Sequence, residues 1–108
     1  MPTRADVITR ALRRLRVVAA NRTPTADMSA EVGTVLDGLY AELSEDVAIS
    51  WALSAVPDSA LNPLADLLAA EIAPEYSRPA PVSRSRALVR FLALVNPDDT
   101  ETTAAVYF

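Results

Sequence analysis

"LNPLADLLAAEIAPEY", residues 61–76, is the stretch that decides the fold of this chain. Its apolar residues recur at spacings of three and four, which is the stripe of a helix with one buried face. These positions are Leu61, Leu64, Leu68 and Ile72. Pro74 ends the pattern at Ala73, because proline excludes the residue before it from the helical region. The sequence therefore predicts a helix with a defined end.

The start of this helix has two interpretations. Asn62 can cap a helix that carries Pro63 in its first turn, where the missing N–H costs little. Alternatively, the turn residues Pro57-Asp58-Ser59 open the helix one turn earlier. In both cases the segment is expected to be a structural element rather than a catalytic one.

Three other segments show a helical period. A first helix is expected from a Thr3 cap to about Val18 or Ala19, with Asp6 in its first turn and Arg10, Arg13 and Arg14 on the outside. A second is expected from Asp27 to about Ser44, where Gly33 and Gly38 indicate close approach of a neighbouring helix or subunit, or neutral drift. The helix of the quoted stretch is the third. A fourth helix is expected to be capped by Ser83 and stopped by Asn96-Pro97. Its inward residues are expected to be Leu88, Phe91, Leu92 and Val95, and its outward ones Arg84, Arg86 and Arg90.

In residues 47–55 the large residues no longer recur every three or four positions but every second position. Large residues such as Trp51 and Leu53 alternate with small ones, and alternation of this length favours an extended segment with the large side chains facing the core. The fold class expected is all-α: a small four-helix domain with a short extended segment between helices two and three and an extended C-terminal tail. The predicted domain boundaries are 1–97 for the helical domain and 98–108 for the tail.

Composition excludes most chemistry. The chain of 108 residues is 51% hydrophobic, which suits one compact domain, and it has no cysteine, no histidine and only two glycines. Imidazole bases, thiol nucleophiles, thiolate metal sites and a glycine-rich phosphate loop are therefore absent. We expect neither an enzyme nor a cofactor or metal site. No window reaches the roughly 18 uncharged apolar residues of a membrane span, so no membrane partner is expected.

Charge is divided into blocks along the chain. Residues 1–22 carry a net charge of +5, residues 23–75 carry −10, residues 76–97 carry +4 and residues 98–108 carry −3. This segregation allows a basic helix to lie against an acidic one within the monomer. It equally allows complementary edges between identical subunits, or a basic face near DNA.

The arginines of the first helix are candidates for phosphate contacts or for contacts between subunits. These residues are Arg10, Arg13, Arg14 and Arg16. Sequence-specific DNA binding is disfavoured, because the helix that follows, which would read the bases in a helix-turn-helix, carries only acids. Any contact with DNA is expected to be non-specific.

The tail is polar at first and apolar at its end. Thr102, Thr103, Val106, Tyr107 and Phe108 form a stretch that favours extended backbone. It can pack back onto its own domain, or add to the edge of a partner's sheet. Both interpretations stay open at this point.

Three stretches taken together resemble a known family. "DVITRALRRLRVV" (6–18), "LDGLYAEL" (36–43) and "WALSAVPDSALNPLADLLAAEIAPEYS" (51–77) are similar, in this order, to the phage head-to-tail adaptor (connector) proteins. That group includes the tail accessory, or packaged-DNA stabilisation, factor of short-tailed phages. The residues concerned are packing and capping residues, so the specificity lies in their order. This chain departs from the family in its short loop between helices two and three and in having little after helix four.

The resemblance implies a structural virion protein at the head-tail junction of a phage, prophage or gene-transfer particle, made in the host cytoplasm. It implies a ring, dodecameric in that family, that sits under the portal protein, extends the DNA channel around non-specifically held packaged DNA and joins the next tail component. The tail residues would then dock on the portal. The alternative is a small helical interaction module, such as an antitoxin or an adaptor within a bacterial complex. A DNA-associated regulator is a third hypothesis.

Overall fold

The structure is a computed structural model that describes residues 2–95. It contains four α-helices: α1 (Arg4–Arg14), α2 (Ala26–Asp46), α3 (Asp58–Ile72) and α4 (Arg84–Val95). A short 3-10 helix, Ala73–Tyr76, follows α3. No β-strand forms within residues 2–95, so the all-α four-helix prediction is confirmed.

α3 is the central helix of the domain. It packs against α1, α2 and α4, and its side chains are buried on nearly all sides, including those of Leu64, Leu67 and Leu68. The sequence predicted a single buried face, which is narrower than the observed one. A helix that is apolar all round is typical of a core position.

The start of α3 follows the earlier of the two predicted positions. Pro57 is the residue before the helix, and Pro63 lies inside it and is buried. The interpretation of Asn62 as the cap was therefore wrong. Pro63 lacks the N–H that would bond to the carbonyl of Ser59, and the helix continues past this missing bond because its buried leucines hold it in place. At the other end, the α-helix stops at Ile72 and Pro74 lies within the 3-10 turn.

α1 begins where predicted and ends earlier. Asp6 accepts hydrogen bonds from the backbone N–H of Thr3 at 2.8 Å and from its hydroxyl at 3.2 Å, which fixes the first turn. The predicted end at Val18 or Ala19 was wrong, because the chain leaves the helix at Leu15 and Arg16 takes a left-handed conformation with a φ of 62°. The N–H groups of Arg16 and Val17 then bond to the carbonyls of Arg13 and Leu12. This pairing is a Schellman motif, which commonly ends helices.

The segment between α2 and α3 keeps the predicted alternation without joining a sheet. Val47, Ile49, Trp51 and Leu53 are half-buried, and the residues between them are exposed. The Tyr40 hydroxyl donates a hydrogen bond to the backbone carbonyl of Trp51. The Trp51 ring packs between those of Tyr40 and Phe91, with centroid distances of 5.9 and 6.1 Å. These contacts hold the extended segment against α2 and α4.

α2 and α4 begin with side-chain caps. Thr25 accepts a hydrogen bond from the N–H of Met28 at 3.2 Å, and Ser83 accepts one from the N–H of Arg86 at 3.3 Å. The Ser83 cap was predicted from the sequence. On α4, Ala87 and Phe91 are buried, and the predicted inward residues Leu88, Leu92 and Val95 are half-buried.

Candidate functional site

Three of the four predicted arginines of the first helix region are exposed together. Arg10 and Arg13 lie one turn apart on α1, and Arg16 follows the helix end. The guanidinium of Arg13 donates to the backbone carbonyl of Arg22 at 2.8 Å, which adds the exposed Arg22 to the group. We call Arg10, Arg13, Arg16 and Arg22 the basic ridge. Within residues 2–95 none of them forms a salt bridge.

Arg14 does not belong to this ridge. Its guanidinium Nε contacts the carboxylate of Asp66, a residue in the middle of α3 whose side chain is fully buried. The prediction that Arg14 lies on the outside with Arg10 and Arg13 was therefore wrong. Arg14 follows the buried Val7 by seven residues, about two helical turns, so it lies at the border of the buried face of α1.

Asp66 has a second cationic partner. Arg90 of α4 donates from Nη1 to Asp66 Oδ2 at 3.1 Å. Arg14, Asp66 and Arg90, the Asp66 cluster, thus join α1, α3 and α4 through one carboxylate. The Arg14 contact is that of an ion pair rather than an aligned hydrogen bond, since neither Arg14 Nε nor Asp66 Oδ1 has a hydrogen-bond partner among the described residues. A buried carboxylate is costly without a counter-ion, and two guanidinium groups supply that charge here.

One ion pair links α1 with α2. Arg4 binds Asp37 through two parallel contacts, Nε to Oδ1 at 2.9 Å and Nη2 to Oδ2 at 3.0 Å. The hydrogen bond from Arg4 lowers the pKa of Asp37 below its usual value, and the same bond raises the pKa of Arg4. The guanidinium passes directly over Gly33, where a Cβ atom would collide with it. This close approach explains one of the two glycines of α2.

The other glycine has no such contact. A Cβ atom added at Gly38 would have no neighbour within 4 Å, since this position faces open space on α2. It lies beside a shallow depression of about 260 Å³ that Glu42 and Glu71 also line. Both carboxylates are held by Arg84, with Nε to Glu71 Oε1 at 2.6 Å and Nη2 to Glu42 Oε1 at 3.8 Å. The hydrogen bond to Glu71 raises the pKa of Arg84.

The exposed acids of α2 form a second charged surface. Four of them have no salt-bridge partner within residues 2–95, and all four fall within one third of the helix circumference. We call this set the acidic face: Asp27, Glu31, Glu45 and Asp46. All five salt bridges within residues 2–95 join an arginine of a basic block to an acid of residues 23–75, so the blocks do pair inside the monomer. The basic ridge and the acidic face are the parts of these blocks that are left exposed.

Within residues 2–95 there is no group of three or more metal-ligating side chains. In the same part of the chain, none of the helices has the length and apolar character needed to cross a membrane. The predicted tail residues Thr102, Thr103, Val106, Tyr107 and Phe108 lie outside the described residues, as do Asn96 and Pro97.

Sequence reasoning missed Asp66 and the partnership of Arg14 and Arg90. A signal was present: Asp66 is flanked by Leu64, Leu67 and Leu68 in a run that is apolar on every side of the helix. An acid at such a position is buried whichever way the helix turns, and it therefore needs a cationic partner.

Comparisons of the chain with protein-family models, with curated proteins and with solved structures found no match.

Proposed function

We propose that the chain is a structural head-to-tail adaptor of a phage or phage-like particle, which forms a ring under the portal protein and extends its DNA channel. The proposal starts from the resemblance of residues 6–18, 36–43 and 51–77 to the connector family. One structural observation supports it above the others. The subunit exposes a basic ridge and an acidic face that do not neutralise each other within residues 2–95.

Complementary surfaces on one chain suit repeated contacts between identical subunits. A contact in which the basic ridge of one subunit meets the acidic face of the next is heterologous, and such contacts generate closed rings when the rotation closes. Charge pairs at an interface steer association and set its register more than they add to affinity. We therefore expect weak association of the free subunit, with the portal supplying the template for the ring.

Arg14 has no part in this contact, because it is held by Asp66. The proposed contact residues on α1 are Arg10 and Arg13, with Arg16 beyond the helix end. If part of the basic ridge faces the channel instead, scattered arginines would hold the phosphate backbone loosely and without reading bases. Passage of DNA through a conduit requires contacts of this weak kind.

The portal contact is assigned to the tail. Tyr107 and Phe108 would be its anchors, because aromatic side chains contribute much of the binding energy of small interfaces. Each subunit of a ring repeats the contact, so a modest affinity per tail gives tight attachment of the whole ring.

The proposal is tested with the portal protein encoded near this chain in its own genome. Purified portal rings are mixed with the subunit and separated by size, and the complex is imaged by electron microscopy. The proposal predicts a ring of this subunit at one end of the portal. A subunit that stays monomeric and unbound in the presence of an intact portal ring would overturn it, and co-purification with a toxin encoded beside it would favour the interaction-module alternative.

A further inference from the structure

A groove lined by both polar and apolar atoms lies where the end of α4 meets the start of α3 and the extended segment between α2 and α3. Its volume is about 210 Å³. Trp51, Phe91, Leu94 and Val95 supply much of its apolar lining, and the hydroxyl-bearing Ser50 and Ser59 also line it. The groove is outside the charged surfaces described above.

The groove has the size to hold an aromatic ring, and the exposed Leu94 gives that ring an apolar wall to cover. An apolar cavity of about 150 Å³ accommodates a benzene molecule, so about 210 Å³ takes one ring with its Cβ. The half-buried Trp51 meets the fully buried Phe91 edge to face at 75°, so a further ring can pack on the exposed part of Trp51. Leu94 on the groove wall is 43% exposed and is one of two large hydrophobic side chains exposed within residues 2–95. An occupant would cover it.

We propose that the groove holds two aromatic residues of the same chain, Tyr107 and Phe108. The described chain ends at Val95, which itself lines the groove, so the following segment starts at the site. Tyr107 lies 12 residues further on. A random-coil chain of 12 residues spans about 20 Å on average, so the number of residues between Val95 and Tyr107 is enough for a return to the groove.

The intervening sequence favours this occupant over other parts of the chain. Residues 98–103 are Asp, Asp, Thr, Glu, Thr and Thr, which have no apolar side chain to compete for the groove. Val106, Tyr107 and Phe108 are the large apolar residues that follow. A short tether holds them near the groove at an effective concentration in the mM range, which favours the chain's own groove over that of a second copy in dilute solution.

This inference goes beyond the proposed adaptor function and concerns the free subunit. The groove and the portal would compete for the same two aromatic residues, so portal binding would begin with release of the tail. Burial of one ring is offset by the cost of ordering the tether, which limits the strength of the internal contact. Such a contact can keep the aromatic residues covered before assembly and still release them to a partner.

Trp51 is the only tryptophan of the chain and lines the groove, so it reports on the occupant directly. The experiment compares the full chain with the double variant Tyr107→Ser/Phe108→Ser, with tryptophan excited where tyrosine does not absorb. We expect a red shift of the Trp51 emission and stronger quenching by acrylamide in the variant, because water enters the vacated groove. Far-ultraviolet circular dichroism should be the same for both proteins.

The matched control is Val89→Ser, which changes the other exposed large hydrophobic residue of α4 and does not line the groove. It should leave the Trp51 emission unchanged. A second variant, Leu94→Arg, places a charged side chain in the wall of the groove and should exclude the two aromatic residues. It should therefore give the same loss of protection from acrylamide. In the background of the double variant it should add little, because both changes remove the same contact.

Dilution distinguishes a groove filled by the chain's own tail from a groove filled by the tail of a second copy. Protection of Trp51 by the chain's own tail is independent of protein concentration, and this is the expected result. Protection that disappears on dilution would assign the tail to a second copy and overturn the inference, and so would an emission spectrum that is identical in the full chain and the double variant. These measurements use the isolated protein, so their failure is distinct from a failure to bind the portal.

Discussion

The guanidinium of Arg14 on α1 contacts the carboxylate of Asp66 on α3, whose side chain is completely buried. Arg90 on α4 approaches the other oxygen of the same carboxylate. One acid thus ties three helices together, and Arg14 has a different role from Arg10 and Arg13, its neighbours in sequence. Arg14 therefore holds the fold, whereas Arg10 and Arg13 face outward, and substitutions at these positions should affect different properties.

Arg14→Ala is predicted to destabilise the domain by about 2–4 kcal/mol, because loss of one partner leaves the buried charge of Asp66 to Arg90 alone. Arg10→Ala is the matched control, since Arg10 is exposed and has no salt bridge within residues 2–95, and it should change stability by less than about 0.5 kcal/mol. Urea denaturation measures both. Equal stabilities for the two variants would show that the Asp66 cluster does not hold the helices together.

The two glycines of α2 should respond differently to alanine. Gly38→Ala meets open space, so it should stabilise the protein by roughly 0.5–1 kcal/mol through helix propensity. Gly33→Ala gains the same propensity but displaces the Arg4 guanidinium from Asp37, so its net effect should be near zero or unfavourable. Thermal unfolding compares the pair. A gain at position 33 equal to that at position 38 would contradict the close approach of Arg4.

The Arg4–Asp37 pair should make a small, pH-dependent contribution to stability. The pKa of Asp37 is lowered in the folded state, so the contribution is present above its unfolded value of about 4 and is lost as the pH falls through the folded value. Both side chains are about half exposed, which limits the effect to under about 1 kcal/mol at low salt. Denaturation of the wild type and Asp37→Asn at pH 7 and in acid measures it. A difference that persists unchanged in acid would exclude this ion pair as its source.

Arg16→Gly should stabilise the domain by about 1 kcal/mol, because Arg16 takes the left-handed conformation that glycine adopts without strain. Arg16→Ala removes the same charge and keeps the strained backbone, so it separates conformation from electrostatics. Chemical denaturation should give a larger free energy of unfolding for Arg16→Gly than for Arg16→Ala or the wild type. If Arg16→Gly and Arg16→Ala proved equally stable, the gain would come from removal of the charge rather than from the backbone conformation at the helix end.

Much of this architecture could be predicted from the sequence because its signals are local. The Thr3 and Ser83 caps and the alternation around Trp51 depend on neighbours a few residues away. The Asp66 cluster could not be assigned in this way, because its partners come from positions 52 residues before and 24 after it in the chain. The early end of α1 also escaped prediction, since an arginine occupies the left-handed position where glycine is the usual signal.

The exposed charge of α1 should matter for assembly and not for folding. The double variant Arg10→Glu/Arg13→Glu reverses the basic ridge and leaves the Asp66 cluster intact. Arg14 must be kept, because Arg14→Glu would place a second carboxylate against Asp66 and unfold the domain for an unrelated reason. Circular dichroism should show unchanged helix content, and rising salt should weaken assembly of the wild type as the charges are screened over about 8 Å.

Electron microscopy of the portal mixed with either the wild type or Arg10→Glu/Arg13→Glu tests the central claim most directly. The account predicts a ring of wild-type subunits on the portal, and portals without a complete ring for the folded double variant. A wild-type subunit that leaves the portal bare, or a double variant that builds the same ring as the wild type, would contradict the account.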